Sequence, residues 1–375
     1  MGIMIPEIQT AVVQSNLNDY SPTTHPCLAI SHSVPVPTLS SPYHLLVRVL
    51  AVALNPTDHK MITHFPTPNQ VIGCDFCGIV EQTLGTDETA AFPLGTRVCG
   101  GTFPYSHSKT QSGAFAQWTT VDCRLLLRVP DTMDDLQGAA LGGVSWGTAG
   151  LAFYDPMALA LQGRPSQPVQ TNEPVLVYGG ATASGTMACQ LLKLSGYSPI
   201  AVTSPTSAPL AIKYGATNTA PYTSPGCAEI VRSLADGKPI RRAMDCITSA
   251  ESVAICFAAL ARTGGRYACL EGLDSTFKTR RAVRTKEVMG FEGLGVPIHL
   301  MGQNSSCYSR EVNEELFEVT IQFAVEMQAL IDGGLIRAHP VLEVEGCWEG
   351  ILRGLAKLQK GMVRGQKLVV RIATQ

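Results

Sequence analysis

In the stretch 174–203, the pattern of residues predicts a strand, a glycine turn, a helix and a second strand in succession. The apolar run VLV at 175–177 is typical of a buried parallel strand. Gly179 and Gly180 then permit a tight turn, and a helix is predicted to begin near Ser184. Amides at such a helix N-terminus face the diphosphate in dinucleotide-binding folds. The stretch therefore predicts the first βαβ unit of a dinucleotide-binding domain.

The glycine pattern of this unit is incomplete. Gly180 and Gly185 fit the first and last positions of G-x-G-x-x-G, but Ala183 occupies the middle one. An ordinary α/β unit that binds no dinucleotide therefore remains an alternative at this point.

The residues after the second strand bear on cofactor choice. NAD-binding folds usually place an acidic residue there to hold the ribose 2′-hydroxyl. This chain has Ser204, Pro205, Thr206 and Ser207 instead. Hydroxyl groups tolerate a 2′-phosphate and donate hydrogen bonds to it, which favours NADPH; a simple polar turn around Pro205 is the alternative.

Composition excludes several classes of function. Hydrophobic residues make up 45% of the 375 positions and charged residues 15%, as expected for a well-buried globular protein. The net charge of −2 offers no attraction for nucleic acid or anionic lipid. The N-terminus lacks a secretory signal and no apolar run is long enough to span a bilayer, so we expect a cytoplasmic protein. The dispersed cysteines, 12 in number, indicate buried thiols in a reducing compartment.

The order of patterns along the chain predicts two kinds of domain. Residues 1 to about 155 hold short strand-like runs separated by Pro and Gly, RLLLRV among them, which suggests a small β-barrel. From Pro174 to about Ile298 strands and helices alternate, which implies a parallel sheet covered on both faces. The predicted strands there are VLVYG, IAVTS, AMDCI and RYACL. A long helix is predicted over 311–333, and KLVVRI forms a β-rich end.

Several short motifs occur together in this order: NPTDHK at 55–60, GCDFCGIV at 73–80, LGTRVCG at 94–100, GAFAQW at 113–118, GGATASG at 179–185 and KGMVRGQKLVV at 360–370. Together they resemble the medium-chain dehydrogenase/reductase superfamily. The runs YGGATASGTMACQLLKLSGY, DCITSAES and RGQKLVVRI are similar to those of trans-acting enoyl reductases of fungal polyketide and polyketide–peptide pathways. The resemblance implies an α/β fold with a GroES-like β-barrel catalytic domain at 1–165, a Rossmann doubly wound parallel-sheet NADPH-binding domain at 166–310, and a C-terminal return to the catalytic domain at 311–375.

The positions of the catalytic zinc ligands are changed in this chain. Where the superfamily's alcohol dehydrogenases place their first Cys, Asn55 stands here, and their Gly-His-Glu is replaced by Gly73, Cys74 and Asp75. Cys74 and Cys77 fit one apolar strand as buried cysteines, and the four-cysteine loop of the structural zinc is absent. The resemblance therefore implies a reductase without a metal.

Without a metal to polarise a carbonyl, a conjugated C=C is a more suitable target than a plain ketone or aldehyde. A thioester carbonyl lets negative charge spread as hydride reaches the β-carbon, and a nearby donor stabilises the enolate. The nicotinamide supplies the hydride.

Site residues follow from the resemblance, position by position. Lys60 and Thr148 are the expected catalytic residues; Lys60 as an exposed lysine after a turn is the alternative. Cofactor contacts are expected at Pro56, Thr57, Asp58, Lys60, Ala181, Thr182, Ala183, Ser184, Ser204, Pro205, Thr206, Ser207, Tyr222, Cys269, Leu270, Val363 and Arg364. Substrate contacts are expected at Ser145, Trp146, Gly147, Thr148, Ala149, Gly150, Leu151, Met289, Gly290, Phe291, Glu292 and Gly293. Trp146 departs from the family pattern, so a simple packing role is equally open, and 289–293 alone is only a glycine-bracketed turn.

The expected partner is a polyketide synthase, or a polyketide–nonribosomal peptide synthetase, that presents the substrate on its acyl carrier protein. Superfamily dimers pair an edge strand near the end of the nucleotide domain, which we place in GFEGLGVPIHLMG at 290–302. Pro297 and the glycines weaken that edge, which favours a monomer. A soluble quinone or enone reductase and a non-catalytic nucleotide-binding protein are the two alternative functions.

Overall fold

The computed structural model describes residues 4–15, 28–107, 112–302 and 305–372. The strands in these ranges are β1 (Ile8–Gln14), β2 (Leu28–Pro35), β3 (His44–Ala53), β4 (Asp75–Gln82), β5 (Arg97–Gly101), β6 (Trp118–Asp122), β7 (Leu127–Arg128), β8 (Pro174–Tyr178), β9 (Ser198–Thr203), β10 (Asn218–Pro221), β11 (Arg242–Asp245), β12 (Gly265–Cys269), β13 (Val283–Glu287), β14 (Val341–Glu343) and β15 (Lys367–Arg371). The helices are α1 (Pro56–His64), α2 (Asp135–Leu141), α3 (Val144–Tyr154), α4 (Ala183–Leu194), α5 (Ala208–Lys213), α6 (Cys227–Ser233), α7 (Ala250–Ala259), α8 (Ser305–Tyr308), α9 (Glu314–Asp332) and α10 (Cys347–Gln359).

The chain divides into two compact units. The first contains Met1–Val144, Leu294–Phe317 and Met327–Gln375, and the second contains Ser145–Gly293 and Glu318–Glu326. These limits differ from the boundaries expected after residues 165 and 310. The segment after α3 belongs to the second unit because Arg266 donates to the carbonyls of Pro156 and Ala158 there.

The first unit is built on a seven-stranded sheet in the order β14-β15-β3-β4-β5-β7, with β6 paired to β3. The pairing is antiparallel except between β14 and β15. β3 is its central strand and is buried along most of its length, as the apolar run HLLVRVLAVA requires. A separate two-stranded antiparallel sheet pairs β1 with β2.

The second unit is built on a six-stranded sheet in the order β10-β9-β8-β11-β12-β13, in which every pair is parallel. The strand order reverses between β8 and β11, which are neighbours. In open parallel sheets a ligand binds beyond the carboxyl ends of the strands at such a switch point. A cofactor site is therefore expected at the loops that follow β8 and β11.

Most predicted elements are confirmed. The strands expected at VLVYG, IAVTS, AMDCI and RYACL are β8, β9, β11 and β12, and the long helix over 311–333 is α9. The strand expected over RLLLRV is reduced to the two residues of β7, because Cys123–Leu125 forms a 3-10 turn.

The edge strand of the nucleotide domain was predicted at 290–302, which is too late in the sequence. Residues 290–294 form a 3-10 turn, and the terminal strand of the parallel sheet is β13, at 283–287. β13 had no strong sequence signal, since Arg284, Lys286 and Glu287 interrupt its apolar pattern.

No helix in the described ranges is long and apolar enough to cross a membrane.

Candidate active site

The turn between β8 and α4 in the second unit is built by its glycines. Gly179 has φ +76°, a conformation that side-chain-bearing residues rarely adopt. A Cβ at Gly185 would overlap the carbonyl oxygen of Gly179, so only glycine lets the helix start so close to the turn. The hydroxyl of Thr182 accepts a hydrogen bond from the Gly185 amide at 3.0 Å and donates to the Gly179 carbonyl at 2.8 Å. α4 thus begins at Ala183, one residue before the predicted start.

This turn fits the diphosphate of a dinucleotide. The first amides of a helix have no carbonyl partner within it, and here they belong to Ala183 and Ser184. Residues 181–184 are half-buried rather than enclosed. The N-terminus of α4 therefore offers a diphosphate both backbone amides and the positive end of the helix dipole. It is accessible and lies beside the glycine turn at the switch point of the sheet.

Three hydroxyl groups gather at the carboxyl end of β9. The Ser204 oxygen lies 3.0 Å from that of Thr206 and 2.9 Å from that of Ser207. Pro205 begins the 3-10 turn that holds them, and the Tyr222 amide donates to the Thr203 carbonyl at 3.1 Å. The structure thus brings together five of the predicted cofactor contacts in one region of the second unit, namely Ser204, Pro205, Thr206, Ser207 and Tyr222. The segment 204–207 contains no acidic residue.

The loop after β11 was missed as a site by sequence reasoning. The Asp245 carboxylate is fully buried and accepts hydrogen bonds from the amides of Ile247 and Thr248 at 2.8 and 2.9 Å. It also accepts from the hydroxyls of Ser252 at 2.6 Å and Tyr267 at 2.8 Å. The loop lies against the glycine turn at the switch point.

The side chain of Ile247 is 43% exposed, although it is apolar. It approaches Gly179, where a Cβ would be 3.0 Å from Ile247 Cγ1. An exposed apolar side chain beside the diphosphate turn is suited to cover a ring of the cofactor. The sequence signal for this loop was Asp245, which stands at the end of a strand in the run DCITSAES.

Cys269 and Leu270 end the neighbouring strand β12. The Cys269 thiol is fully buried, and burial raises its pKa to about 12, so it is a neutral thiol and not a nucleophile. The Leu270 amide donates to the Asp245 carbonyl at 3.2 Å, which ties this strand end to the loop after β11.

The two segments expected on the substrate side meet in the second unit. Thr148 is on α3 and is 8% exposed, and a Cβ at Gly290 would lie 2.7 Å from its hydroxyl oxygen. Lys286 of β13 lies 3.9 Å from the Glu292 carboxylate and 3.6 Å from that of Asp155. The turn at 289–293 is therefore held against α3, with the Glu292 carboxylate near Lys286.

Trp146 is buried and packs inside the second unit. Its side chain is 2% exposed and its ring lies 6.2 Å from that of Phe323 on α9. A Cβ at Gly150 would overlap the Phe323 ring. Of the predicted segment 145–151, only Gly147 is half-exposed, since the other six residues are buried.

Helix α1 carries the predicted residues of the first unit. Asn55 caps it, and the Asn55 amide donates to Asp58 Oδ2 at 2.8 Å. Asp58 Oδ1 accepts from the Tyr105 hydroxyl at 2.7 Å. Asp58 is fully buried, and this burial raises its pKa to about 6. The structure therefore places Asp58 inside the unit as a helix-capping residue, whereas Thr57 and Lys60 are half-buried.

The remaining residues that were predicted to contact the cofactor are Val363, which is half-buried, and Arg364, which is exposed. They lie between α10 and β15 of the first unit. Lys60 likewise belongs to the first unit, and Thr148 belongs to the second.

Asn55 and Asp75, from the two motifs with altered zinc-ligand positions, form a polar network with Lys367 in the first unit. Asn55 Nδ2 donates to Asp75 Oδ2 at 2.9 Å, and Lys367 Nζ donates to the same oxygen at 3.1 Å and to Asn55 Oδ1. Burial raises the pKa of the Cys74 thiol well above its usual value, and the carboxyls of Asp58 and Asp75 add to this effect.

These residues do not fit a zinc ion, which needs thiolate, neutral imidazole or free carboxylate ligands. Asn55 offers an amide, Cys74 a neutral thiol, and Asp75 is paired with an ammonium group. Within the described ranges no group of three or more His, Cys, Asp or Glu residues could hold a metal ion.

Comparison with known proteins agrees with this architecture. Residues 41–131 match the alcohol dehydrogenase GroES-like domain. An alcohol dehydrogenase superfamily protein from Novosphingobium aromaticivorans superposes with a TM-score of 0.73 over 97% of this chain and 100% of its own, at 19% identity. A mycobacterial protein complexed with NADPH superposes with a TM-score of 0.67 over 97% of this chain and 99% of its own, at 19% identity. The GroES-like domain and the Rossmann sheet define an oxidoreductase fold of the medium-chain dehydrogenase/reductase class, as predicted.

Two relatives identify the family within that class. Trans-enoyl reductase calK of Penicillium decumbens is 54% identical over 372 residues, which cover 97% of this chain and 98% of calK. Trans-enoyl reductase sthE of Phaeosphaeria nodorum is 51% identical over 365 residues, again 97% of this chain and 98% of the relative. The chain belongs to the trans-enoyl reductase family.

Proposed function

We propose that this protein reduces the α,β-double bond of an enoyl thioester with NADPH, while the thioester is bound to the acyl carrier protein of a fungal polyketide synthase. The observation that carries the proposal is the network at the altered zinc positions, where the Lys367 ammonium is bound to Asn55 and Asp75. This donor set does not suit a metal that would polarise a ketone, and it is consistent with the trans-enoyl reductase names of the relatives.

The cofactor is proposed to lie along the carboxyl edge of the parallel sheet. Bound NADPH supplies the hydride that reduces the β-carbon. The amides of Ala183 and Ser184 would bind its diphosphate, and the hydroxyls around Ser204 would bind the 2′-phosphate. The three hydroxyls form one cluster with no carboxylate in the segment, which supports NADPH over NADH. Val363 and Arg364 remain proposed contacts at the far edge.

Lys60 and Thr148 are the proposed catalytic residues. Negative charge develops on the thioester oxygen as hydride arrives, and a hydrogen-bond donor at that oxygen lowers the barrier. Lys60 can supply an ammonium donor, since it is half-buried on α1. Thr148 can orient the substrate, since its hydroxyl lies beside the turn at Gly290. The α-carbon then takes a proton from water or a side chain.

The partner is proposed to be a polyketide synthase, or a polyketide–nonribosomal peptide synthetase, in the cytoplasm. We further propose that the protein is a monomer, because of the charges at β13, the edge strand of the parallel sheet. Arg281 and Arg284 are exposed at β13, and like charges brought together across a two-fold axis would oppose pairing of that edge. A dimer mass in light scattering would contradict this.

The proposed reaction is tested by following NADPH absorbance with the purified protein and three substrates. These are a short α,β-unsaturated pantetheine thioester, a simple quinone and an aldehyde. We expect oxidation of NADPH with the thioester alone, and the saturated thioester shows none because it lacks the double bond. Turnover of the quinone alone would overturn the proposal in favour of a quinone reductase. No turnover of any substrate, including one loaded on the carrier protein, would indicate a non-catalytic binding protein.

A further inference from the structure

The buried ion pair of the first unit has no role in the chemistry described above. Lys367 Nζ and Asp75 Oδ2 are 3.1 Å apart, and the side chains are 4% and 0% exposed. Removing two charges from water costs so much that a buried ion pair adds little stability over apolar residues of the same volume. Stability alone therefore does not account for the pair.

The other oxygen of Asp75 binds backbone amides. Asp75 Oδ1 accepts hydrogen bonds from Gly143 at 2.8 Å and from Val144 at 2.9 Å. Asp75 Oδ2 is occupied by Asn55 and Lys367. Hydrogen bonds to a charged acceptor are stronger than those to a neutral one. Four donors thus bind the two oxygens, and neither oxygen is free to exchange a proton with substrate. We call the contact of Asp75 with the amides of Gly143 and Val144 the clamp.

The turn that Asp75 binds is shaped for this contact. Gly142 has φ +47°, and a Cβ there would overlap the Asp75 carboxyl group. A Cβ at Gly143 would overlap the amide of Gly101 on β5. The paired glycines thus bring the backbone into direct contact with Asp75 on one side and with β5 on the other, and a side chain at either position would separate them.

The clamp reaches the proposed substrate residue through a single helix. Val144 is the first residue of α3, and Thr148 stands four residues later, one turn along the same face. Within an α-helix the amide of residue i+4 bonds to the carbonyl of residue i, so a fixed first turn fixes the next. The position of the Thr148 hydroxyl therefore depends on where the Val144 amide is held.

We propose that Asp75 is a positioning residue for enoyl reduction, which holds the 142–144 turn and the start of α3, while Lys367 supplies the buried positive charge that the carboxylate needs. The proposal rests on the proposed function, since it assigns the clamp to the helix that carries Thr148. Lys367 thus acts on the helix through Asp75 and not through contact with the substrate.

Three variants separate geometry from charge. D75A removes both acceptor oxygens, and K367M leaves a buried carboxylate without its partner. The double variant D75N/K367M is neutral, yet its new amide keeps one oxygen for the Gly143 and Val144 amides. Its N–H can donate to Asn55 Oδ1 once the Asn55 side-chain amide turns over, because Lys367 no longer binds that oxygen. Glu81→Gln is the matched control, because Glu81 is also a carboxylate on β4 and forms an ion pair, at 2.8 Å, with Arg48.

The readouts are kcat per NADPH-binding site, the Kd for NADPH, and amide hydrogen exchange of the peptide that spans Gly143 and Val144. For D75A and K367M we expect kcat to fall by about tenfold to a hundredfold, the cost of a small misplacement of a substrate-positioning group. We expect faster exchange at 143–144 and an unchanged Kd for NADPH. The double variant should recover most of both kcat and protection, and E81Q should match the wild type.

Two results would overturn the proposal. An unchanged kcat per binding site in D75A would mean that the clamp is structural only. A double variant with restored protection but the low kcat of D75A would mean that the charge itself enters the chemistry. If the proposed function is wrong, the wild type will not turn over the thioester. Even in that case, slow exchange at 143–144 in D75A would show that Asp75 does not hold this turn.

Discussion

The Lys367 ammonium lies 3.1 Å from Asp75 Oδ2, and 292 residues separate the two along the chain. Asp75 stands in place of the Glu of the Gly-His-Glu motif, beside Cys74 at an altered zinc-ligand position. Its carboxylate is paired with the ammonium group and is not free to bind a metal ion. Removal of metal ions tests whether the protein works without zinc.

We predict that chelation leaves the enzyme active. Dialysis against EDTA should not change the thioester turnover, because neither Asn55 nor the paired Asp75 is available as a ligand. Elemental analysis of the purified protein should find zinc well below one equivalent. Loss of activity on dialysis, with recovery on adding Zn²⁺, would contradict the assignment.

Changing Lys60 should affect the chemical step more than cofactor binding. Removing one charge-stabilising donor typically costs about a hundredfold or more in kcat, which we expect for K60M. The Kd for NADPH, measured by fluorescence titration, should change far less. The exposed Lys193 at the end of α4 offers a matched control, since K193M removes the same charge from the surface. Equal kcat values for K60M and K193M would exclude Lys60 as the donor.

Replacing Ser204 with Asp should reverse the cofactor preference. A carboxylate in the hydroxyl cluster would repel the 2′-phosphate and accept a hydrogen bond from the 2′-hydroxyl of NADH. We expect the Kd for NADPH to rise by about tenfold to a hundredfold, as for a like-charge contact at a binding site, and NADH to bind better. S233D on the exposed end of α6 adds the same charge elsewhere. If the ratio of the Kd for NADPH to the Kd for NADH is the same in S204D and S233D, the 2′-phosphate does not bind at Ser204.

The buried Asp58 should make stability depend on pH in a defined direction. Burial raises the pKa of Asp58 to about 6, above its value in the unfolded chain, so the folded state holds this proton more tightly. Its stabilising contribution is complete only well below the ordinary Asp pKa of 3.8 and is lost as the pH rises through about 6. From this shift, the difference in unfolding free energy between wild type and D58N should fall by about 2 kcal/mol from pH 4 to pH 8.

Urea unfolding of both proteins across this pH range measures the difference. Burial lowers the pKa values of His59 and His339 to about 4, which opposes the Asp58 trend, but both histidines are present in either protein and their effect cancels. A difference that is independent of pH would place Asp58 in a solvated environment and contradict the structure.

Local patterns predicted the parallel sheet and the glycine turn, because β8, α4 and β9 are contiguous and each has a strong signal. α1 was not predicted as a helix, since Asn55 and Pro56 suggest a turn until the reciprocal capping by Asp58 is seen. The resemblance named Thr148 and Gly290 as substrate-side residues, and only the fold brings them together. Lys367 is part of the run RGQKLVVRI, but its pairing was not predicted, because its partner Asp75 is on a distant strand.

The most direct test of enoyl reduction uses the carrier-bound substrate. The protein is incubated with an enoyl thioester on the partner synthase's acyl carrier protein and with NADPH deuterated at the transferred position, and the intact carrier is measured by mass spectrometry. We expect a product heavier by one deuterium and one hydrogen, with the deuterium on the β-carbon. An unchanged carrier mass, while the same protein oxidises NADPH with a quinone, would contradict it.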